Sequence, residues 1–200
     1  MECYFNKRNN ICDYVTYIPQ NNQIIHTDNE RNRFIQKIFL ANVVLLGYKS
    51  FSGFSSLTNI ELPQSLKAIG AFSFYECYSL KEIRIPPNVI KIGPCAFYGC
   101  ISLNKVSIMS QITKIEYGVF GECSDLKEIT IPSSVIEIQP WAFYNCFFLS
   151  KITIPSSVTL IGENAFYNCS FLNSVEINTA ITCIGDLSFP SYTKIISIEN

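Results

Sequence analysis

The stretch LKEITIPSSVIEIQPWAFYNCFF at residues 126–148 is followed directly by LSKITIPSSVTLIGENAFYNCSF at residues 149–171. The two stretches share the leading leucine, the first proline, the repeat phenylalanine and the cysteine. The same 23-residue spacing runs outward through the phenylalanines Phe51, Phe74, Phe97, Phe120, Phe143, Phe166 and Phe189. A fixed period of this length predicts a repeat architecture, in which successive units stack into a solenoid.

Each repeat predicts one short strand and one return segment. Ile129 and Ile131 alternate with polar residues after the repeat leucine, and Pro132 ends the strand because proline has no amide hydrogen. A second apolar pair, Val135 and Ile138, predicts the return segment. One unit cannot bury its own apolar side. Stacked units bury it in a continuous core, with neighbouring strands roughly 4.8 Å apart.

The repeat unit resembles that of a known family. The pattern L-x-x-I-x-I-P-x-x-V-x-x-I-G-x-x-A-F-x-x-C-x-x-L, nearly verbatim in Leu126 to Leu149 and Leu149 to Leu172, is similar to the BspA-like, or Treponema-type, leucine-rich repeat. Members are surface antigens and adhesins in bacteria and form large families in parasitic protozoa. The resemblance implies a leucine-rich-repeat solenoid with its parallel strand ladder on the concave side. It also implies protein binding, and it brings no family active site.

Two regions are expected. Residues 1–40 are predicted to be an irregular leader followed by a helical cap, and residues 41–200 a solenoid of about seven coils, the last incomplete. The capping-box sequence at residues 27–30 precedes apolar residues on one helical face and predicts a helix at about residues 28–37. Alternatively, Ile38 and Leu40 form the strand of a first coil. Strict spacing would put Lys37 and Phe39 there, with a residue missing or the strand replaced by helix.

Composition limits the classes of function. The 200 residues are 48% hydrophobic, which is enough for a sizeable core. The net charge of −1 shows no basic excess of the kind that nucleic-acid binding uses. No apolar stretch approaches the roughly 20 residues that span a bilayer, and residues 1–10 lack a signal-peptide core. The sequence alone therefore favours the cytoplasm, without membrane insertion, whereas the family resemblance implies the cell surface.

The cysteines follow the repeat. A column three residues after the phenylalanines contains Cys77, Cys100, Cys123, Cys146 and Cys169. Stacked side chains point in parallel and five cannot all pair, so the column is predicted to consist of reduced, buried thiols. Cys3, Cys12, Cys95 and Cys183 lie off the column and are candidate exposed thiols.

The sequence predicts no enzyme, no cofactor and no metal site. His26 is the only histidine, no C-x-x-C occurs, and neither phosphate-binding glycine motif is present. The acidic residues are distributed by the repeat instead of converging on one place.

The outward residues of the strand ladder are the predicted partner-binding surface, because side chains alternate along a strand. We expect binding by Glu61, Glu82, Arg84, Lys105, Ser107, Glu128, Thr130, Lys151, Thr153 and Glu176. One interpretation is that opposite charges on adjacent strands merely neutralise one another. The other is a flat docking surface, with the small Ser107, Thr130 and Thr153 leaving room for a protein partner.

Two functions follow. The first is a non-catalytic protein-interaction module, adhesin-like or a surface antigen by resemblance. The alternative is an intracellular scaffold or regulatory subunit, or a self-associating structural repeat fragment. Self-association is predicted through residues 189–200, because a last strand without a following coil offers an open edge.

Overall fold

The computed structural model describes the backbone of residues 2–6 and 11–17, and residues 34–178 and 180–198 in full. The described part is a solenoid of parallel strands with about seven coils, and it contains no α-helix. Its N-terminal strands are β1 (Glu2–Asn6) and β2 (Ile11–Tyr17). The predicted leucine-rich-repeat architecture is confirmed.

Two ladders of strands run along the solenoid. The strand ladder consists of β3 (Lys37–Leu40), β5 (Asn59–Glu61), β7 (Glu82–Ile85), β9 (Lys105–Ile108), β11 (Glu128–Thr130), β13 (Lys151–Thr153), β15 (Ser174–Asn178) and β17 (Lys194–Ile198). The return ladder consists of two-residue strands, β4 (Leu45–Leu46), β6 (Ala68–Ile69), β8 (Lys91–Ile92), β10 (Lys114–Ile115), β12 (Glu137–Ile138), β14 (Leu160–Ile161) and β16 (Cys183–Ile184).

Equivalent repeat positions lie side by side in both ladders. Ile83 is opposite Val106, and Val106 is opposite Ile129, each step being one 23-residue repeat. All the pairs of both ladders are parallel, in keeping with a chain that returns to the same side after every coil. The sequence period therefore fixes the register.

A turn segment closes each coil around the repeat phenylalanine. Every second amide in it donates to a carbonyl of the next coil, as Phe74 N does to Ala96 O at 2.7 Å. The residues two before and two after the phenylalanine have positive φ, including Phe72 (56°), Glu76 (57°) and Trp141 (63°). We call the residues from four before to two after each repeat phenylalanine the turn face.

The core is a set of side-chain columns. Phe74 and Phe97 stack with ring centroids 5.1 Å apart, and the stacking continues from Phe51 to Phe189. The five cysteines of the predicted column are fully buried, as are the repeat leucines beside them. Burial of large aromatic side chains in contact with their own kind supplies much of the apolar area that stabilises the stack.

The helix predicted at residues 28–37 is wrong where the structure tests it. Residues 28–33 and the capping box at 27–30 lie outside the described residues, and Lys37 begins a strand. Ile38 is buried and opposite Ile60, so the segment extends the strand ladder and covers the edge of β5. Pairing satisfies that edge, which a helix here would leave open.

The expected irregular leader is likewise corrected in part. The β1 and β2 strands pair antiparallel, and β2 then pairs in parallel with β3, so the sheet continues beyond the first coil. The strand ladder thus reaches to the N-terminal side of residue 41. Pairing with β2 satisfies the backbone groups at the open edge of β3, and pairing with β1 does the same for β2.

The last coil is shorter than the 23-residue spacing predicts. Val175 lies opposite Ile195, 20 residues later, so Ile195 takes a strand position and not the leucine position. Tyr192 and Ile195 are 56% and 44% exposed, and Thr193 is buried in their place. Its hydroxyl donates to Leu172 O at 2.6 Å. The 23-residue spacing predicts Tyr192 in the column of Cys169 and Ile195 in the column of Leu172, and both placements are wrong.

Candidate protein-binding surface

The outward side of the strand ladder, here the strand face, brings the predicted binding residues together. Glu82 lies opposite Lys105, Arg84 opposite Ser107, and Glu128 opposite Lys151. All ten predicted residues are exposed except Ser107, which is half-buried. They form two regular rows because strand side chains alternate and the coils stay in register.

The charges of the strand face are not paired with one another. Within residues 34–178 and 180–198 the ion pair is Lys114 with Glu137, 2.9 Å apart on the return ladder. Glu82 and Lys105 are opposite in register but form no such contact, and the same holds for Glu128 and Lys151. Direct neutralisation by contact ion pairs is thus not the arrangement of this surface.

Two shallow depressions follow the strand face. One, of about 340 Å³, is lined by residues that include Glu82, Arg84 and Lys105. The other, of about 710 Å³, is lined by residues that include Lys105, Glu128 and Lys151. The small side chains expected to leave room, Ser107, Thr130 and Thr153, all line the second depression. Both depressions are open and mixed in polarity, which suits a protein surface more than an enclosed small molecule.

An exposed aromatic residue extends this surface. Phe39 lies opposite Glu61 in the ladder and is 44% exposed. Sequence reasoning missed it because strict spacing places Phe39 inside the coil. Ile38 and Ile60 are 22 residues apart, whereas Val43 and Leu66 are 23 apart, so one residue is missing between Ile38 and Val43. The signal available in the sequence was the alternation at residues 38–40, which puts Ile38 and Leu40 inside the coil and Phe39 outside it.

The described residues offer little catalytic chemistry. Among them no group of three or more histidine, cysteine, aspartate or glutamate side chains could hold a metal ion. His26 lies outside the described residues. The serine and threonine hydroxyls that form hydrogen bonds in the repeats donate mainly to backbone carbonyls of the preceding coil, as Ser157 does to Val135 O at 2.6 Å. Such hydroxyls hold turns together.

The thiols of the cysteine column are poorly reactive. Each thiol donates to the carbonyl oxygen of a repeat phenylalanine in the preceding coil, at 3.1–3.3 Å. Burial raises the pKa of Cys77, Cys123 and Cys146 well above the usual range and raises the pKa of Cys169 to about 12. A thiol that stays protonated is a poor nucleophile and a poor metal ligand.

The cysteines off the column differ from one another. Cys95 is buried, and burial raises its pKa, so it is not the exposed thiol expected. Cys183 is exposed at the end of the return ladder, as expected for one of these residues. The side chains of Cys3 and Cys12 lie outside the described residues.

Comparison with known proteins identifies the family. The sequence model described as "BspA type Leucine rich repeat region" matches in 6 copies, over residues 31–146 and 91–200. The chain belongs to the BspA-type leucine-rich-repeat family. No curated protein matches it.

Several solved structures share the fold. A leucine-rich repeat protein from Eubacterium ventriosum is 26% identical, with a TM-score of 0.73, over 79% of this chain and 43% of that chain. The leucine-rich repeat protein of T. pallidum is 23% identical, with a TM-score of 0.69, over 95% of this chain and 88% of that one. The pneumococcal vaccine antigen PcpA is 19% identical, with a TM-score of 0.67, over 98% and 63%.

The lengths of these proteins differ. This BspA-type chain spans less than half of the Eubacterium protein that it resembles. Among the described residues there is no helix that could cross a lipid bilayer.

Proposed function

We propose that this BspA-type chain is a non-catalytic protein-interaction module that binds a protein partner on its strand face. The proposal rests on the row of exposed charges on the strand face. Among the described residues none of its basic members, above all Arg84, Lys105 and Lys151, forms an ion pair with a carboxylate. Exposed, regularly spaced charges steer association and fix the register of a complex. Phe39 adds an exposed ring beside them, and aromatic residues are enriched where protein interfaces are most tightly packed.

Reversal of two charges tests the proposal. Arg84→Glu with Lys151→Glu should leave the free energy of unfolding within about 0.5 kcal/mol of the wild type, since both side chains are exposed. The matched control is Lys67→Glu with Lys91→Glu, which makes the same charge change at exposed positions on the return side.

Affinity capture from the source organism, with the wild type and both variants as bait, gives the comparison. We expect a set of proteins that the wild type and the control retain and that the strand-face variant loses. Binding of a captured protein should then show slower association and altered salt dependence with that variant. Equal recovery by all three baits would show that the strand face is not the binding surface.

We also propose a cell-surface role, as an adhesin or a surface antigen, supported by the kinship of fold with the pneumococcal vaccine antigen. The alternative is an intracellular scaffold or regulatory subunit. Biotin labelling of intact cells, beside permeabilised ones, separates the two. Labelling of intact cells supports the surface role, and labelling only after permeabilisation supports the alternative.

A further inference from the structure

The turn face carries two stacks of aromatic rings. In the first, Tyr75 and Tyr98 stack with centroids 5.7 Å apart. In the second, Tyr117, Trp141, Tyr144 and Tyr167 follow one another at 6.3, 4.4 and 5.6 Å. The rings remain in part accessible, with Tyr117 45% and Tyr167 40% exposed. This surface lies on a different side of the coil from the strand face.

A break separates the two stacks at one coil. The positions that carry Tyr98 and Tyr144 in their coils carry Gly121 in the coil between them, and Gly118 takes the position of Trp141. Tyr98 leans over this coil, since a Cβ on Gly121 would lie 2.7 Å from its ring. Tyr98 and Tyr117 are thus the terminal rings of their stacks: toward the break Tyr98 packs on Gly121 instead of on another ring, and among the described residues Tyr117 stacks only with Trp141.

Two carboxylates flank the break. Glu116 precedes Tyr117, and Glu122 follows Gly121; both are half-buried. The Oε1 atom of Glu122 accepts hydrogen bonds from Asn145 Nδ2 at 2.8 Å and from the Tyr98 hydroxyl at 3.4 Å, which fix it beside the ring. The other charged residues of the turn face are Lys49, Glu76, Glu163 and Asp186. The face as a whole is therefore acidic, with a single lysine.

The lysine of the turn face makes a cation–π contact with a ring of the same face. Lys49 Nζ lies 5.3 Å from the centroid of the Tyr48 ring, at the N-terminal end of the same face. Aromatic faces bind cations through the ring quadrupole, and arginine does so best because its planar guanidinium also stacks. The internal contact satisfies one ring, whereas residues 116–122, the turn-face segment that carries Glu116 and Glu122, contain no basic residue. Lys114, two residues before Glu116 on the return ladder, is paired with Glu137.

Trp141 occupies a position that has the left-handed backbone conformation in every described coil. Trp141 has φ of 63°, in a region where bulky residues are rare, and the equivalent positions in the adjacent coils are Gly118 and Asn164. Glycine or asparagine would adopt this conformation at lower cost. Phe72 and Leu187 have the same conformation at this position, so it belongs to the turn of each coil and does not by itself mark a site.

We propose that the turn face binds a basic segment of a protein partner, with an arginine side chain seated at the break. The guanidinium lies against the terminal rings Tyr98 and Tyr117 and pairs with Glu116 and Glu122. This site is separate from the strand face and does not depend on the proposed function of that surface.

Trp141 reports on the proposed site, because it is the only tryptophan of the chain and lies in the coil next to the break. The probe is octa-arginine, titrated at low and at physiological salt while tryptophan emission is followed. We expect a saturable change that weakens with salt. Octa-lysine should bind at least about threefold more weakly, since ammonium groups do not stack, and octa-glutamate should give no change.

Variants locate the binding, measured by calorimetry so that the result does not depend on emission. Glu116→Gln with Glu122→Gln keeps the shape and an acceptor oxygen, and should weaken octa-arginine binding by about threefold or more. Glu82→Gln with Glu128→Gln removes the same charge from the strand face and should leave affinity unchanged. Tyr117→Ser should also weaken binding, whereas Tyr192→Ser should not.

Three results would overturn the proposal: no saturable change in emission with octa-arginine, equal losses in the two glutamine variants, or full binding by Tyr117→Ser. Sedimentation of the protein alone adds a fourth. If the wild type self-associates and Glu116→Gln with Glu122→Gln is monomeric, the occupant of the turn face is a second copy of this chain, and the basic partner segment is excluded.

Discussion

The thiol of Cys123 donates a hydrogen bond to the carbonyl oxygen of Phe97, 3.2 Å away in the preceding coil. The same oxygen accepts from the amide of Cys100, also at 3.2 Å. The cysteine therefore ties two coils together at the point where the phenylalanine columns stack. It does so with a side chain that is apolar enough to be fully buried.

Cys123→Ala should lower the free energy of unfolding by about 1–2 kcal/mol. The change removes one hydrogen bond and leaves a small cavity, but the Phe97 carbonyl keeps its bond from Cys100. Denaturant unfolding measures the loss. Cys183→Ala is the control at an exposed position and should stay within about 0.5 kcal/mol of the wild type. Equal effects of the two changes would mean that the thiol contact contributes nothing.

Thiol labelling should separate the cysteines by burial. Alkylation of the native protein near pH 8 should modify Cys183 and spare Cys77, Cys123, Cys146 and Cys169, because burial raises the pKa of those four and blocks access. Unfolded but unreduced protein should give free thiols at the column, read by mass spectrometry. Disulfide-linked peptides from the column would contradict this and would favour an oxidising compartment.

Stability should fall in alkali partly because of Tyr98. Burial, followed by the nearby Glu122 carboxylate, raises the pKa of Tyr98 from 10.0 to about 12. The folded state holds this proton more tightly than the unfolded state. The contribution is thus complete below about pH 10 and is lost as the pH rises through about 12. Tyr98→Phe should flatten the decline between those values relative to the wild type, and Tyr192→Phe should not. If the stability profiles of the wild type and Tyr98→Phe coincide, Tyr98 does not contribute to the loss of stability in alkali.

The C-terminal strand should mediate self-association. Among the described residues β17 pairs with β15, and its apolar Ile195 and Ile198 are 44% and 40% exposed. A strand edge that no described residue pairs is a template for another strand. Sedimentation velocity should show association that increases with concentration, and Ile198→Lys should reduce it. A monomer at all concentrations would show that this edge does not pair.

The period was sufficient to predict most of the fold. Because strands one repeat apart must lie in register, columns such as Glu82 and Lys105 could be assigned to one face before any coordinates. Local departures could not be. A single residue missing before Val43 turned Phe39 outward, and three missing residues moved Ile195 into the last strand.

The turn face was missed for a different reason. Its backbone requires positive φ at Phe72 and Trp141, which are residue types that no sequence rule assigns to that conformation. The aromatic column itself was readable, since Tyr75, Tyr98, Tyr144 and Tyr167 follow the 23-residue period with one member replaced by Gly121. The binding surface was predicted on the strand face alone, without use of this aromatic column.

The one-way hydrogen bonds of the turn segment give that side of the solenoid an electrical direction. The amide of Phe97 donates to Val119 in the next coil, while the carbonyl of Ala96, in the same peptide group, accepts from Phe74 in the coil before. Peptide groups aligned in this way add their dipoles, as they do along an α-helix. On the turn face partial positive charge therefore points to the later coils, whereas on the return side the amides of Ile90 and Gly93 donate to the preceding coil and point the opposite way. Each added coil would lengthen both opposed rows of dipoles by one step, whatever its side chains.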